Sequence, residues 1–334
     1  MKVGNISQTV WRRSIKNQLD TKNENVITAF SLNGKITTID SGDGKVFITA
    51  LGKSFGKSSK TGLYAAVNAV SEIKMRKGEV ISLELDITVP VFTSEAHLKA
   101  LVSEVKEYAH KNGIYFSGVT TEVNPAVNRI LCNASVHAYA YKDNFISSSK
   151  AASGQDIVLA GSIGLEGMAR IIDEKEEELG ERFNRLFLRQ CKDKADKLKD
   201  TYRADSLKDT DITSVMQIGT GGIMAALWNM TEGTGTGLEA DMSKMSIDQE
   251  TVEILEYYNL NPYEMTSSGS FLIVSKDGDE VVRRLHESGV EAVKIGITLS
   301  GNKKMITGKD EERFLDRPVS DELMNWWQNE LSEV

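Results

Sequence analysis

Gly154-Gln155-Asp156-Ile157-Val158-Leu159-Ala160-Gly161-Ser162-Ile163-Gly164-Leu165-Glu166-Gly167 decides the architecture of the second half of this chain. The apolar run to Ala160, bounded by Gly154 and Gly161, has the pattern of a buried strand, and from Ile163 onward the spacing predicts a helix. A second junction is Gln217-Ile218-Gly219-Thr220-Gly221-Gly222-Ile223-Met224-Ala225-Ala226-Leu227-Trp228, a polar glycine-dense turn running into an apolar helical segment. Such a junction leaves N–H groups free at a helix N-terminus, where the macrodipole favours an anion. Glycines let the backbone close on a phosphate with no Cβ in the way. A tight turn feeding a buried helix is the alternative. No Lys-Ser/Thr follows the glycines and the stretch is not GxGxxG after a strand, so neither nucleotide fingerprint is met.

A length of 334 residues exceeds one ordinary core and predicts two domains. The net charge of −8 argues against a nucleic-acid surface, which needs clustered Lys and Arg. Two cysteines, Cys132 and Cys191, give no disulfide framework and no CxxC, so a cytoplasmic, reducing location is expected. No apolar run approaches a membrane span of roughly 18 residues, and no membrane partner is expected. Ile6, Val10, Ile15 and Leu19 stand near helical spacing behind Ser7 and predict a surface helix.

Between residues 26 and 50, short extended runs are split by Leu32-Asn33-Gly34 and Ser41-Gly42-Asp43-Gly44, as in hairpins. Residues 52–60 are small and basic and are assigned to a loop; Leu51 stands where a P-loop needs its first glycine. An alanine-rich helix is predicted over 62–75, a strand over 79–89 ended by Pro90, a helix over 94–111, a strand over 114–116 leading into a Gly118–Glu122 turn, and a strand over 128–141. This order belongs to an α+β or split-βαβ domain. Polar residues 142–153, with Ser147-Ser148-Ser149, mark the boundary between domains 1–150 and 151–334. In the second domain, strands are expected over 156–160, 237–241, 271–274, 292–299 and 303–307, with helices between them and a final helix carrying Trp326 and Trp327.

His97, His110, His137 and His286 have no metal-ligand spacing, and no Ser/His/Asp or Cys/His set emerges. The acidic run Asp173-Glu174-Lys175-Glu176-Glu177-Glu178 has the character of a solvated helix face. The polar turns and helix positions left for chemistry are the stretch near Gly52, Ser71-Glu72, Thr121-Glu122 and Gly221-Gly222.

The stretch 154–167 resembles the opening of the second domain in the AIR synthase-related (PurM-like) superfamily. Gly221-Gly222-Ile223, then Gly235-Thr236-Gly237-Leu238-Glu239, Leu260-Asn261-Pro262-Tyr263 and Ser267-Ser268-Gly269-Ser270 follow its HypE-like (hydrogenase maturation factor) branch in order. Gly118–Val123 and residues 62–73 match the first domain more loosely. The resemblance implies a two-domain α+β (α/β) fold whose N-terminal strands build a dimeric barrel and whose C-terminal domain is a sheet covered by helices. It also implies ATP-dependent phosphoryl chemistry with magnesium held by several aspartates, whose charge offsets that of the phosphates. On this basis Gly118, Thr121, Gln217, Gly219, Gly221 and Gly222 are the candidate cofactor-binding residues, and Glu72 and Glu122 the candidate catalytic or metal-binding carboxylates.

The acids of the family pattern are mostly missing. Ser31-Leu32-Asn33-Gly34 stands for a Gly-Asp-Asp turn, Leu51-Gly52 for Thr-Asp, Ser71-Glu72 for Asn-Asp, Thr120 for an acid, and Gln217 for an aspartate. The last residues, Asn329-Glu330-Leu331-Ser332-Glu333-Val334, carry no thiol, whereas the HypE reaction proceeds on a C-terminal cysteine. The resulting expectation is a catalytically degenerate scaffold with weak or absent ATP and magnesium binding, acting as a homodimer or as a heterodimer with a paralogue. Two alternatives stay open. One is an active ATP-dependent enzyme with a site rebuilt from Glu72, Glu122 and Asp40 or Asp43. The other is a metal-independent module holding a small phosphorylated ligand through glycine turns and Lys53, Lys57 and Lys60.

Overall fold

The computed structural model describes residues 3, 5–19, 23–32, 34–146, 150–200, 204–207, 210–232, 234–309 and 312–332. In chain order these form α1 (Gln8–Ser14), β1 (Val26–Thr28), β2 (Ile36–Asp40), β3 (Lys45–Gly56), α2 (Thr61–Lys74), β4 (Glu79–Val89), α3 (Glu95–Lys111), β5 (Tyr115–Val123) and β6 (Ile130–Tyr141). Then follow β7 (Asp156–Ala160), α4 (Leu165–Arg182), α5 (Arg185–Ala195), β8 (Ile212–Gln217), α6 (Gly222–Met230), β9 (Thr236–Asp241) and α7 (Gln249–Tyr257). The chain closes with β10 (Phe271–Ser275), α8 (Gly278–Glu287), β11 (Ala292–Ser300), β12 (Lys304–Thr307), β13 (Glu312–Phe314) and α9 (Glu322–Ser332). The elements gather into two compact units. The first comprises Lys22–Phe145 and Ala169–Tyr202; the second comprises Met1–Thr21, Ile146–Met168 and Arg203–Val334. The expected domain boundary falls beside Ser147–Ser149, which lie outside the described residues.

The first unit is built on a six-stranded sheet in the order β1-β2-β3-β6-β4-β5, antiparallel except for the parallel pair β4 and β5. Strict alternation sends Val46, Ile48 and Ala50 of β3 and Leu83, Leu85 and Ile87 of β4 to the face where Leu101, Val105 and Tyr108 of α3 complete the core. Ser94 caps α3 by accepting from the His97 N–H, and Gly113 takes a left-handed conformation just past its end, both as the sequence predicts. Along α2, every residue from Thr61 to Ile73 is buried. Alanines at 65, 66 and 69 let this helix lie close on the sheet, and Gly52 completes the approach. A Cβ at Gly52 would overlap the Ala65 carbonyl oxygen and come within 2.9 Å of the Ala69 nitrogen.

Two local assignments are corrected by this sheet. Residues 52–56 are not a loop: β3 runs on to Gly56, pairing Gly52 with Ala134 and Lys53 with Asn133. Small residues there mark a close helix approach, which composition alone cannot separate from a flexible loop. Gly118–Glu122 is not a turn but the body of β5, held in register with Glu84 to Thr88 of β4.

The second unit holds a seven-stranded sheet in the order β13-β12-β9-β11-β7-β10-β8. Residues 157–160 of β7 and all of β10 are buried, which accounts for their unbroken apolar runs. Two helices of this unit have legible caps: Asp277 accepts from the Glu280 N–H at the head of α8, and Ser7 from the Val10 N–H at the head of α1. The carboxylate of Glu280 turns to Arg283 and Arg284 instead of closing a capping box. Strands β8 and β13 were not anticipated from the sequence.

Gly52→Ala is expected to destabilise the first unit by about 1–3 kcal/mol, because helix backbone, not a flexible side chain, occupies the space. Chemical denaturation checks this; an unchanged midpoint would refute the close-approach assignment.

Candidate functional site

The chemistry suggested by the sequence converges at one end of the second unit's sheet. Ala160 of β7 and Gln217 of β8 are both in register with Phe271 at the start of β10. The β7–α4 junction, the β8–α6 junction and the loop before β10 are therefore neighbours. Ser270 Oγ donates to the Ser162 carbonyl at 2.8 Å, and the Ile218 N–H donates to the Ser270 carbonyl at 2.8 Å. The Gly164 N–H donates to Ser267 Oγ at 2.7 Å, and the Gly269 N–H donates to Gln217 Oε1 at 3.0 Å. Glu166, buried at the head of α4, accepts from Thr266 Oγ1 at 2.8 Å and from the Ser268 N–H at 3.0 Å.

At the β8–α6 turn, Gly221 and Gly222 have φ of 87° and 65°, values that favour glycine. A Cβ on Gly222 would strike the Tyr263 carbonyl oxygen and lie 2.8 Å from Glu264 Cα, so α6 begins pressed against residues 263–264. The Gly219 carbonyl accepts from the Gly222 N–H at 3.0 Å. The Gly221 N–H, at the N-cap of α6, donates to Asp321 Oδ2 at 2.6 Å. Asp321 is 1% exposed, and its other oxygen accepts from the Leu323 N–H at 2.9 Å, at the head of α9. One buried carboxylate thus lies between two helix N-termini, where the helix dipoles favour negative charge. Nearby, burial and then the charge of Glu322 raise the Glu264 carboxyl above its ordinary range, against the opposing pull of Arg313.

The first unit's candidates are placed otherwise. Glu72 is buried on α2 and its Oε1 accepts from Arg76 Nη2 at 2.8 Å and Nε at 3.1 Å. Glu122 is exposed on β5, where its Oε1 accepts from Asn124 Nδ2 at 3.0 Å. Gly118 and Thr121 share that exposed strand. Because Glu122 is in register with Thr88, between inward-facing Ile87 and Val89, it lies on the sheet face away from α2 and Glu72. Asp40 and Asp43 are each held below the ordinary carboxylate range, Asp40 chiefly by a hydrogen bond from Lys142 and Asp43 by one from Ser41. Among the described residues, no three His, Cys, Asp or Glu side chains gather in a way that could hold a metal ion. The donor set in hand does not fit a magnesium centre, which needs several oxygens free to converge.

The acidic run of α4 is also more than a solvated face. Asp173 accepts from Lys60 Nζ at 2.9 Å and from Tyr64 Oη at 2.5 Å, while Glu174 accepts from the Lys57 N–H at 2.7 Å. Carboxylates again occupy the approach to a helix N-terminus, here that of α2. The sequence does not single out Asp173, Glu174 or Asp321 for these contacts. An Asp one residue before a helix signals a cap for α9, but nothing local signals its bond to Gly221, 100 residues away.

Two α+β units, glycine junctions at one end of the second sheet and a helix on close-packed glycine in the first define the PurM-like class of fold. Residues 152–309 match the family described as AIR synthase related protein, C-terminal domain. Similar solved structures extend the likeness across both units. The HypE–HypF complex matches with a TM-score of 0.68 at 18% identity, covering 92% of this chain and 99% of that one. AaThiL complexed with AMPPCP and TMP gives 0.69 at 14%, covering 94% and 99%. The hydrogenase maturation protein HypE in complex with ATP gives 0.64 at 13%, covering 96% and 98%. No curated protein sequence matches the chain.

Asp321→Ala removes a cap and strands the Gly221 N–H, and is expected to cost about 2–4 kcal/mol, with Asp321→Asn losing less. Thermal and urea unfolding measure the difference; equal stability of Asp321→Ala and the parent would remove Asp321 from this role.

Proposed function

We propose that this chain is an AIR synthase-related, HypE-like scaffold that has given up magnesium–ATP chemistry and serves as a non-catalytic or regulatory dimeric partner. The observation that carries the proposal is the 2.6 Å bond from the Gly221 N–H to buried Asp321, a protein carboxylate held at a glycine-framed helix start of the kind that suits an anion. The state of Glu72 supports it. Its carboxylate accepts from the guanidinium of Arg76 at 2.8 Å, and drawing it away to a metal would break a buried ion pair, at a cost of about 3–5 kcal/mol. Gln217, where the family pattern has an aspartate, spends its side-chain oxygen on the Gly269 amide. HypE has been captured with HypF, and such an association is the kind of role left to a scaffold whose own site is filled.

ATP is the ligand of a HypE structure with this fold, and AMPPCP is held by AaThiL. Calorimetric titration of the chain with ATP and magnesium is therefore the direct test. The expected outcome is no magnesium-dependent binding in the micromolar range. Micromolar binding that disappears on chelation of the metal would overturn the proposal in favour of a rebuilt ATP-dependent phosphoryl-transfer site. Binding of ATP that persists in EDTA would instead support a metal-independent phosphate-binding module, although Lys60, one of its candidate lysines, is already paired with Asp173.

A further inference from the structure

Lys304 stands at the start of β12 in register with Leu238 of β9, two residues before Ile306 and so on the same face of the sheet. Leu238 and Ile306 belong to the core that packs under α6, and Lys304 is itself only 9% exposed. Its ammonium lies over the ring of Trp228, with Nζ 4.9 Å from the centroid. Trp228 is in the last turn of α6, at the far end of that helix from Gly221. An ammonium placed so deeply needs acceptors, and those of the adjoining segment are engaged elsewhere. The Trp228 carbonyl accepts from Thr231 Oγ1 at 3.3 Å, and the Asn229 carbonyl from the Glu232 N–H at 3.2 Å. The Glu232 carboxylate accepts from Gln8 Nε2 at 2.8 Å and lies 3.7 Å from Arg12 Nη2. Among the described residues, Lys304 has no side-chain hydrogen bond or ion pair. A cation–π contact offsets only part of what drying an ammonium costs. The preceding residue gives the contrast. Lys303 Nζ also lies over a ring, that of Phe314 at 5.8 Å, but both residues are exposed and that ammonium keeps its hydration.

We infer that Lys304 and Trp228 form a second binding site, for a small carboxylate carried on a flat apolar body. One positive charge among apolar side chains is balanced by one negative charge, whereas a phosphate dianion would carry a surplus charge into the same surroundings. The wall selects the body. Met224 and Trp228 are half-buried, four residues apart on one face of α6, and offer it a thioether and an aromatic ring. A carboxylate bonded to the ammonium is thus flanked by a stacking surface and an adaptable one, which suits an aromatic or conjugated acid. The site is separate from the glycine turn, because about 9 Å of helix axis lies between Gly222 and Trp228. Its occupancy does not depend on what the head of α6 binds.

Titration of the intact chain with cinnamate, followed in the NMR signals of the ligand, tests this. Saturable binding is expected, with the neutral analogue cinnamamide weaker by about tenfold or more through loss of a charge-assisted bond. Lys304→Met should lower cinnamate affinity by a similar factor, while Lys303→Met leaves it unchanged. Methionine keeps the apolar stem and removes an uncompensated charge, so Lys304→Met should also raise the unfolding midpoint of the unliganded chain by about 2 °C or more. That shift separates a lost contact from a damaged fold. Equal affinity for cinnamate and cinnamamide, or cinnamate binding that survives Lys304→Met, overturns the assignment. So does displacement of cinnamate by inorganic phosphate, or a chain that binds neither compound. A midpoint that falls in Lys304→Met overturns it as well, by showing that the ammonium already has its partner within the chain.

Discussion

Close approach of backbone to backbone is the constraint on which both units depend. Helix α2 lies on β3 only because Gly52 offers no side chain to the Ala65 carbonyl, and α6 begins against Tyr263 and Glu264 only because Gly222 offers none to them. In the second sheet, Gly237 meets the backbone of Lys303 in the same way. Each contact brings polar main chain against polar main chain, so it must come with hydrogen bonds elsewhere to satisfy the groups it dehydrates. The serine and threonine loop before β10 supplies several of them, through Ser267, Ser270 and the amides of Ser268 and Gly269.

Carboxylates complete that accounting. The glycine-framed start of α6 presents an N–H that Asp321 accepts, while Asp173 and Glu174 bond Lys60, Tyr64 and the Lys57 amide beside the start of α2. A buried N–H bonded to a carboxylate is a stronger pairing than one bonded to a neutral oxygen. The glycine-framed helix starts thus have polar groups that bond within the chain itself. Fold and site are separable properties, so the shape of this scaffold does not by itself fix its chemistry.

Much of the fold was legible because its signals are local. The limits of β4 follow from alternation and Pro90, those of β7 from an apolar run between glycines, and α3 from Ser94 and Gly113. The end of β3 was not legible, since Gly52, Ser54 and Gly56 look like loop residues until the helix above them is known. Strand β5 failed for a related reason: its residues are exposed nearly throughout, so no alternation marks it. At the candidate site, the glycines announced themselves and their partners did not. Glu72 was visible as a surviving acid, but the four-residue spacing to Arg76 gave no hint that the pair would be buried. Asp321 and Asp173 act across long stretches of chain, which no window of sequence can display.

The bond between Gly221 and Asp321 also has a consequence for the order in which the protein matures. The head of α6 cannot receive its carboxylate until residue 321 has been made, after the five strands β9 to β13 and the helices α7 and α8 have followed α6. Until then the second unit's sheet lacks the cap that fixes its glycine turn, while β1 to β6 can already pair among themselves. Contacts of such long sequence separation are slow to form. The segment around Asp321 therefore acts as a clasp, and the second unit reaches its final form only after that segment has been added.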